Sequence, residues 1–268
     1  MPNRHLRLMC ILAHPDDETL GVGGALAKYA SEGIETYVVT ATRGERGRFG
    51  DAPHPGLETV GQVREKELRS AAAILGVREV SFLDYIDGDV DKADPDEAIT
   101  RIVQQIRRNQ PQVVVTFGPE GGYGHPDHIA ISQLATAAAV CAADASFAPA
   151  VGAAHRIAKL YYVEWGRGKM EAYQRAFREI KMTVDGQERR AAPWPDWAIT
   201  TQIDASTHWR TVWQAVLCHQ TQISIYGALG SLPDEMHRTL WGSQTFYRVF
   251  STVNGGRAPE TDLFAGLR

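Results

Sequence analysis

Cysteine is scarce in this chain. Its 268 residues include three, Cys10, Cys141 and Cys218, and none belongs to a C-x-x-C pair. That excludes a cysteine zinc site and a disulfide framework. Charge of one sign is lacking too: 28 Lys and Arg stand against 32 Asp and Glu, a formal net charge of −4. No basic field is available for nucleic acid. No apolar run reaches the roughly 18 residues that a membrane helix needs. The first apolar run, residues 6–12, passes straight into charged residues with no cleavage-site pattern, so a strand is expected there and not a signal peptide. Repeats and low-complexity tracts are missing. What remains, 44% hydrophobic and 22% charged residues, is ordinary for a globular enzyme, and a cytoplasmic protein is expected.

The stretch Ala13-His14-Pro15-Asp16-Asp17-Glu18 follows that first strand. Behind it, Gly21-Val22-Gly23-Gly24 opens an amphipathic segment. The motif therefore sits on a strand-to-helix turn, at the carboxyl edge where open α/β sheets bind ligands. One imidazole and three carboxylates within five residues concentrate charge at a cost that a divalent cation relieves most simply. His14 and Asp17 offer one nitrogen and one oxygen, a pair suited to zinc, with Fe2+ or another divalent ion as the alternative. Asp16 is then left to act on water. Helix capping by Asp16 or Asp17 is the competing reading. The glycine run lacks the G-x-G-x-x-G spacing directly after the strand, so it is a weak dinucleotide signal.

Periodicity predicts further strands at 35–40, 79–83, 112–117, 159–163, 197–203 and 245–250. It predicts helices at 24–31, 59–75, 95–108, 129–142, 170–180 and 205–219. Strand 112–117 is continuous and β-branched, hence central and parallel. The expected fold is α/β, a Rossmann-like, mostly parallel sheet flanked by helices. Residues 1–164 form the catalytic core with the metal site, and residues 165–268 a smaller C-terminal cap region completing the same domain. The polar loop 41–56 leaves the carboxyl edge and is expected to hold substrate. Trp194, Trp197, Trp209 and Trp213 are expected in the core of the cap, although a homo-oligomer interface is the alternative.

A second cluster, Tyr123-Gly124-His125-Pro126-Asp127-His128, again follows a strand and opens a helix. Two such turns can lie side by side. His128 then becomes the natural third ligand with His14 and Asp17, and three protein ligands plus water is the catalytic zinc pattern. His125 and Asp127 are a spare imidazole and carboxylate beside it.

These residues resemble the PIG-L/LmbE-like family of zinc N-deacetylases, in particular its mycothiol-pathway deacetylase and mycothiol-conjugate amidase branch. The likeness extends to residues 40–47 and 64–76, to His219-Gln220-Thr221-Gln222 and to the tail from Glu260 to Leu267. The resemblance implies one zinc on His14, Asp17 and His128, with Asp16 as general base. It implies that His125 stabilises the oxyanion, that Asp127 orients His125 and that Tyr123 closes over the reacting amide. Arg64 and Asp87 match positions that hold the sugar or its substituent, and Glu45 is a further candidate contact. Arg48 stands where the branch carries an acidic residue, a departure that bears on the aglycone half of the substrate. The implied substrate is a small amino sugar of the N-acetylglucosamine type, with neither nucleic acid nor membrane as partner. Removal of acetyl, cleavage of a larger acyl group from a glucosamine conjugate, and a non-catalytic sugar- or nucleotide-binding module are the three functional readings. His219 is open between a site near substrate and a satisfied core histidine.

Overall fold

Seven strands make one sheet in the computed structural model of the chain, which describes residues 5–176 and 180–268. The strands are β1 (Arg7–Leu12), β2 (Glu35–Thr42), β3 (Glu79–Tyr85), β4 (Val113–Phe117), β5 (Lys159–Glu164), β8 (Thr201–Asp204) and β9 (Ser243–Ser251). A separate hairpin pairs β6 (Lys181–Val184) with β7 (Gln187–Arg190). The order in the main sheet is β3-β2-β1-β4-β5-β9-β8. The first five strands are parallel and β9 alone runs against them, pairing antiparallel with both β5 and β8, so the sheet is mostly parallel, as expected. β1 and β4 are buried along nearly their whole length, which is why both read as unbroken apolar runs.

Helices α1 (Asp17–Leu20), α2 (Gly23–Ser31), α3 (Leu57–Leu75), α4 (Pro95–Asn109), α5 (Gly121–Gly124) and α6 (Pro126–Cys141) belong to this parallel half. α7 (Arg167–Ala176), α8 (Trp209–Val216), α9 (Ile223–Tyr226) and α10 (Asp234–Trp241) follow. α4 starts as its sequence dictates: Asp94 accepts the N–H of Glu97 at 3.0 Å and Pro95 occupies the first turn.

The chain leaves β1 towards β2 on one side, while β4 pairs β1 on the other, with Leu8, Met9 and Cys10 opposite Val113, Val114 and Val115. This is a topological switch point, and the turns after β1 and β4 meet there.

The second half departs from expectation in several places. β8 and β9 extend the main sheet, so α7 and the β6–β7 hairpin are the elements beyond β5 that bring Met170, Tyr173, Lys181 and Met182 to the cavity wall. The strand expected at 197–203 begins only at Thr201, because Pro195 is followed by a 3-10 turn, Asp196–Ala198. The helix expected at 170–180 is Arg167–Ala176, and residues 177–179 of that expectation lie outside the described residues. Trp209 is buried and Trp213 packs on the core, but Trp197 is 85% exposed, so it does not belong to a cap core. No described helix is long and apolar enough to cross a membrane.

Candidate metal centre and active site

The turn after β1 is fixed by its own backbone. Oδ2 of Asp17 accepts the N–H groups of His14 at 2.8 Å and Ala13 at 3.2 Å. Asp16 is held at φ 104°, a left-handed conformation that a non-glycine residue adopts at a cost, and such strain gathers at functional sites. Its N–H donates to Oε2 of Glu18 at 2.9 Å. Glu18 is fully buried, and its Oε1 lies 2.7 Å from Nε2 of His219. Arg64, 4% exposed, donates to the carbonyls of Gly44 (2.9 Å) and Pro15 (2.5 Å) and to Oδ2 of Asp16 (3.3 Å).

The turn after β4 bends sharply through Gly121, Gly122 and Gly124, all at positive φ. His125 then caps α6, its Nδ1 accepting the N–H of Asp127 at 3.2 Å. An Nδ1 that accepts puts the proton of neutral imidazole on Nε2. His128 stacks on Phe117, the last residue of β4, with ring centroids 4.0 Å apart.

The two turns bring His14, Asp17 and His128 together. Nδ1 of His14 is 3.2 Å from Nε2 of His128, which is 3.5 Å from Oδ1 of Asp17. One ligand atom from each lies within 4.8 Å of the others, and all three residues are buried. Metal–ligand bonds of about 2.0–2.2 Å at tetrahedral angles separate donor atoms by roughly 3.3 Å. The triad therefore fits a divalent ion in its donor types and its spacing. Its electrostatics agree. Burial alone would lower the basicity of His14, but hydrogen bonds to Asp127 and Asp87 outweigh it and push its pKa up to about 10. Burial, partly countered by His14, pushes Asp17 up to about 7. The cluster holds protons where an ion would supply the positive charge.

The structure corrects two expectations. Asp127 does not orient His125 with its carboxylate. Oδ2 bonds Nε2 of His14 at 3.0 Å and the N–H of Gly88 at 2.6 Å, while Oδ1 accepts from Val90 at 3.2 Å. It is a carboxylate behind a candidate ligand histidine, the arrangement that fixes ring orientation and basicity. Burial and the charge on His14 push His125 down to about 4. Glu45 does not line the cavity. It is buried and spends its carboxylate on the N–H groups of Asp87 (3.0 Å) and Arg43 (3.3 Å).

The other candidates face the cavity, which has a volume of about 820 Å³. Oδ1 of Asp87 also touches Nε2 of His14, at 3.2 Å, and its Oδ2 accepts from the N–H of Arg46, also at 3.2 Å. Burial opposes ionisation of Asp87, but His14 wins and holds it down at about 2. The Tyr123 ring stands edge-on to His125 and His128, with centroids at 5.9 and 5.4 Å. The exposed Arg48 reaches the cavity rim, and its carbonyl holds Gln222 at 3.0 Å. Thr221 is tied to Glu67 by two bonds of 2.7 Å. The His219–Gln222 motif thus packs against the site, and Gln222 lines the cavity itself. The tail motif lies elsewhere: Glu260 accepts from Lys159, Tyr161 and Thr201 around β5 and β8. Glu18, Glu120 and Glu164 were not singled out as site residues by the sequence. Glu18 stood inside the first motif, but nothing local revealed its partner.

Three convergent groups that could hold a metal ion, with the Asp16 carboxylate and an imidazole N–H beside them, are an arrangement suited to hydrolysis. The comparisons name the kind. The PIG-L profile, described as GlcNAc-PI de-N-acetylase, matches residues 9–139. The chain is 33% identical to a mycothiol S-conjugate amidase of Streptomyces coelicolor over 98% of both sequences. It is 35% identical to a 1D-myo-inositol 2-acetamido-2-deoxy-alpha-D-glucopyranoside deacetylase of Nocardioides sp., over 97% of this chain and 98% of the relative. The conserved protein TT1542 of Thermus thermophilus superimposes with a TM-score of 0.67 at 25% identity, over 93% of this chain and 97% of that one. The chain belongs to the PIG-L family of deacetylases and amidases.

Proposed function

We propose that the protein is a zinc-dependent N-deacetylase that hydrolyses the acetamide of an N-acetylglucosamine-type sugar, releasing acetate and the free amine. The observation that carries this reading is the convergence of His14, Asp17 and His128, with the carboxylate of Asp16 outside the triad beside them. A bound zinc ion supplies Lewis acidity, polarising the amide carbonyl and making water acidic enough to act near ~pH 7.

The protein's own residues do the rest. Asp16 takes the proton of the attacking water and returns it to the departing nitrogen. Arg64 and Glu18 hold Asp16 in place through its carboxylate and its N–H. His125, neutral and protonated on Nε2, donates to the oxyanion, and Tyr123 closes over the reacting group. Asp127 and Asp87 fix the ring of His14. Arg64 and Asp87 line the sugar side of the cavity, and Arg48 at the rim meets the aglycone.

Relatives of near-equal similarity carry amidase and deacetylase names, so a larger acyl group is the second reading. Metal analysis of the purified protein, followed by a panel of acetylated and longer-chain glucosamine amides, tests both. One zinc per chain with preference for acetamide supports the deacetylase. Preference for the longer amides supports the amidase. Turnover of none with no bound metal rejects both in favour of a binding module.

A further inference from the structure

Two carboxyl groups at the carboxyl edge have no part in the chemistry above. Glu164 ends β5, and Glu120 follows β4 by three residues; both line the same cavity as the metal cluster. They converge over Gly118. A Cβ placed there would lie 1.6 Å from Oε1 of Glu164 and 2.9 Å from Oε2 of Glu120, so only glycine leaves room for the pair. Glu164 is 2% exposed, and its Oε1 receives no hydrogen bond from the described residues. Glu120 is half-buried, and its Oε1 accepts Nε1–H of Trp194 at 2.5 Å.

Among the described residues, none pairs a positive charge with either carboxyl. Lys169 lies over the Trp165 ring, its Nζ 4.9 Å from the centroid, and Lys181 is bound to Glu188 at 2.6 Å. The hydroxyl of Thr245 goes to the backbone carbonyl of Glu164 and leaves the carboxyl alone. Burial, reinforced by Glu120, pushes the Glu164 carboxyl up to about 10. Two carboxyls this close retain a proton between them and leave one negative charge. A single uncompensated charge facing a cavity that substrate must fill is costly unless the substrate brings the opposite charge.

We propose that the Glu120–Glu164 pair is a subsite for a second, free primary ammonium group on the substrate. The substrate class is then an N-acetylated amino sugar joined to an amine-bearing group, either another amino sugar or an aminoalkyl aglycone. This rests on the deacetylase reading and adds to it. The ammonium pairs with the single negative charge of the two carboxyls where Glu120 and Glu164 line the cavity.

The test uses matched pairs on the zinc-loaded enzyme. One pair is N-acetylglucosamine linked to glucosamine and the same sugar linked to glucose. The other is the 2-aminoethyl and the 2-hydroxyethyl glycoside of N-acetylglucosamine. The ammonium member of at least one pair is expected to show kcat/KM about 10–100-fold higher, the worth of one or two hydrogen bonds to a charged group. The pair that shows it identifies the source of the amine. Glu164→Gln and, separately, Glu120→Gln are expected to cut that ratio to about threefold or less. Equal values within both pairs, or a ratio that survives both substitutions, overturns the subsite. Should Glu164→Gln not fold, the wild-type ratios and Glu120→Gln still decide. If all four compounds resist hydrolysis, the deacetylase reading fails on its own, and calorimetry with aminoethyl and hydroxyethyl glucoside decides the subsite. Binding of the amine about tenfold tighter, lost in Glu120→Gln, upholds it; equal binding overturns it.

Discussion

His219 and Glu18 are 201 residues apart in the chain, yet Nε2 of the imidazole lies 2.7 Å from Oε1 of the carboxylate, and neither side chain is exposed. The other oxygen of Glu18 takes the N–H of Asp16. The segment after α8 is thereby joined to the strained residue beside the metal cluster. His219 does not line the cavity and reaches the site only by way of Glu18.

His219→Ala leaves a buried carboxylate without its partner, which typically costs about 3–5 kcal/mol. Chemical denaturation should show that loss. It should also show substantial recovery in His219→Gln, whose amide can still donate to Glu18. If Asp16 is held through this pair, kcat in the folded His219→Ala protein falls by about 10–100-fold with KM little changed. Lost stability with an unchanged kcat would leave His219 purely structural.

Asp127 faces His14, so its loss should register first in metal affinity. Asp127→Ala is expected to weaken metal binding by about 10–100-fold, with kcat largely restored at saturating metal. It also strands the N–H groups of Gly88 and Val90. Unchanged affinity with a depressed kcat would return Asp127 to a role on His125.

Glu260 sets part of the acid stability. Burial alone would raise its pKa, but bonds from Lys159, Tyr161 and Asn254 prevail and hold it at about 2 in place of 4.5. A depressed carboxylate stabilises the fold above its unfolded pKa and loses that contribution as pH falls through the folded one. The window is therefore about pH 4.5 down to 2. Burial also pulls Lys159 down, so the ion pair is worth less than the carboxylate shift alone suggests: on the order of 1–3 kcal/mol. Urea unfolding of Glu260→Gln should show a flatter pH dependence across that window than the wild type. An identical slope in both proteins contradicts the assignment.

The elements that were legible carry their signals locally. Val113–Thr116 is β-branched throughout, and each His-Pro-Asp turn carries its candidate ligands in one short stretch between a strand and a helix. What escaped depends on distant contacts. The true partners of Asp127 are set by the 87–90 loop lying over the start of α6, which no periodicity reveals. Glu45 had the right type and neighbourhood but points inward to Asp87 and Arg43. The β6–β7 hairpin did carry a signal: Asp185-Gly186, both at positive φ, is the usual two-residue hairpin turn. Its second flank, Gln187–Arg190, is too charged to read as a strand. Trp197 shows the limit of residue type as a guide, since an aromatic was expected inside and stands in solvent.

The proposed mechanism gives metal binding to Asp17 and proton transfer to its neighbour Asp16, and Asp16→Asn separates the two. Zinc content and kcat on an N-acetylglucosaminide are measured on the same preparation. Asn keeps the size of the side chain and cannot accept the proton. Near-full zinc, normal folding and a kcat lower by about 10²–10⁴ are expected. Loss of zinc would mean that Asp16 is a ligand, and retention of both zinc and turnover would mean that the base lies elsewhere.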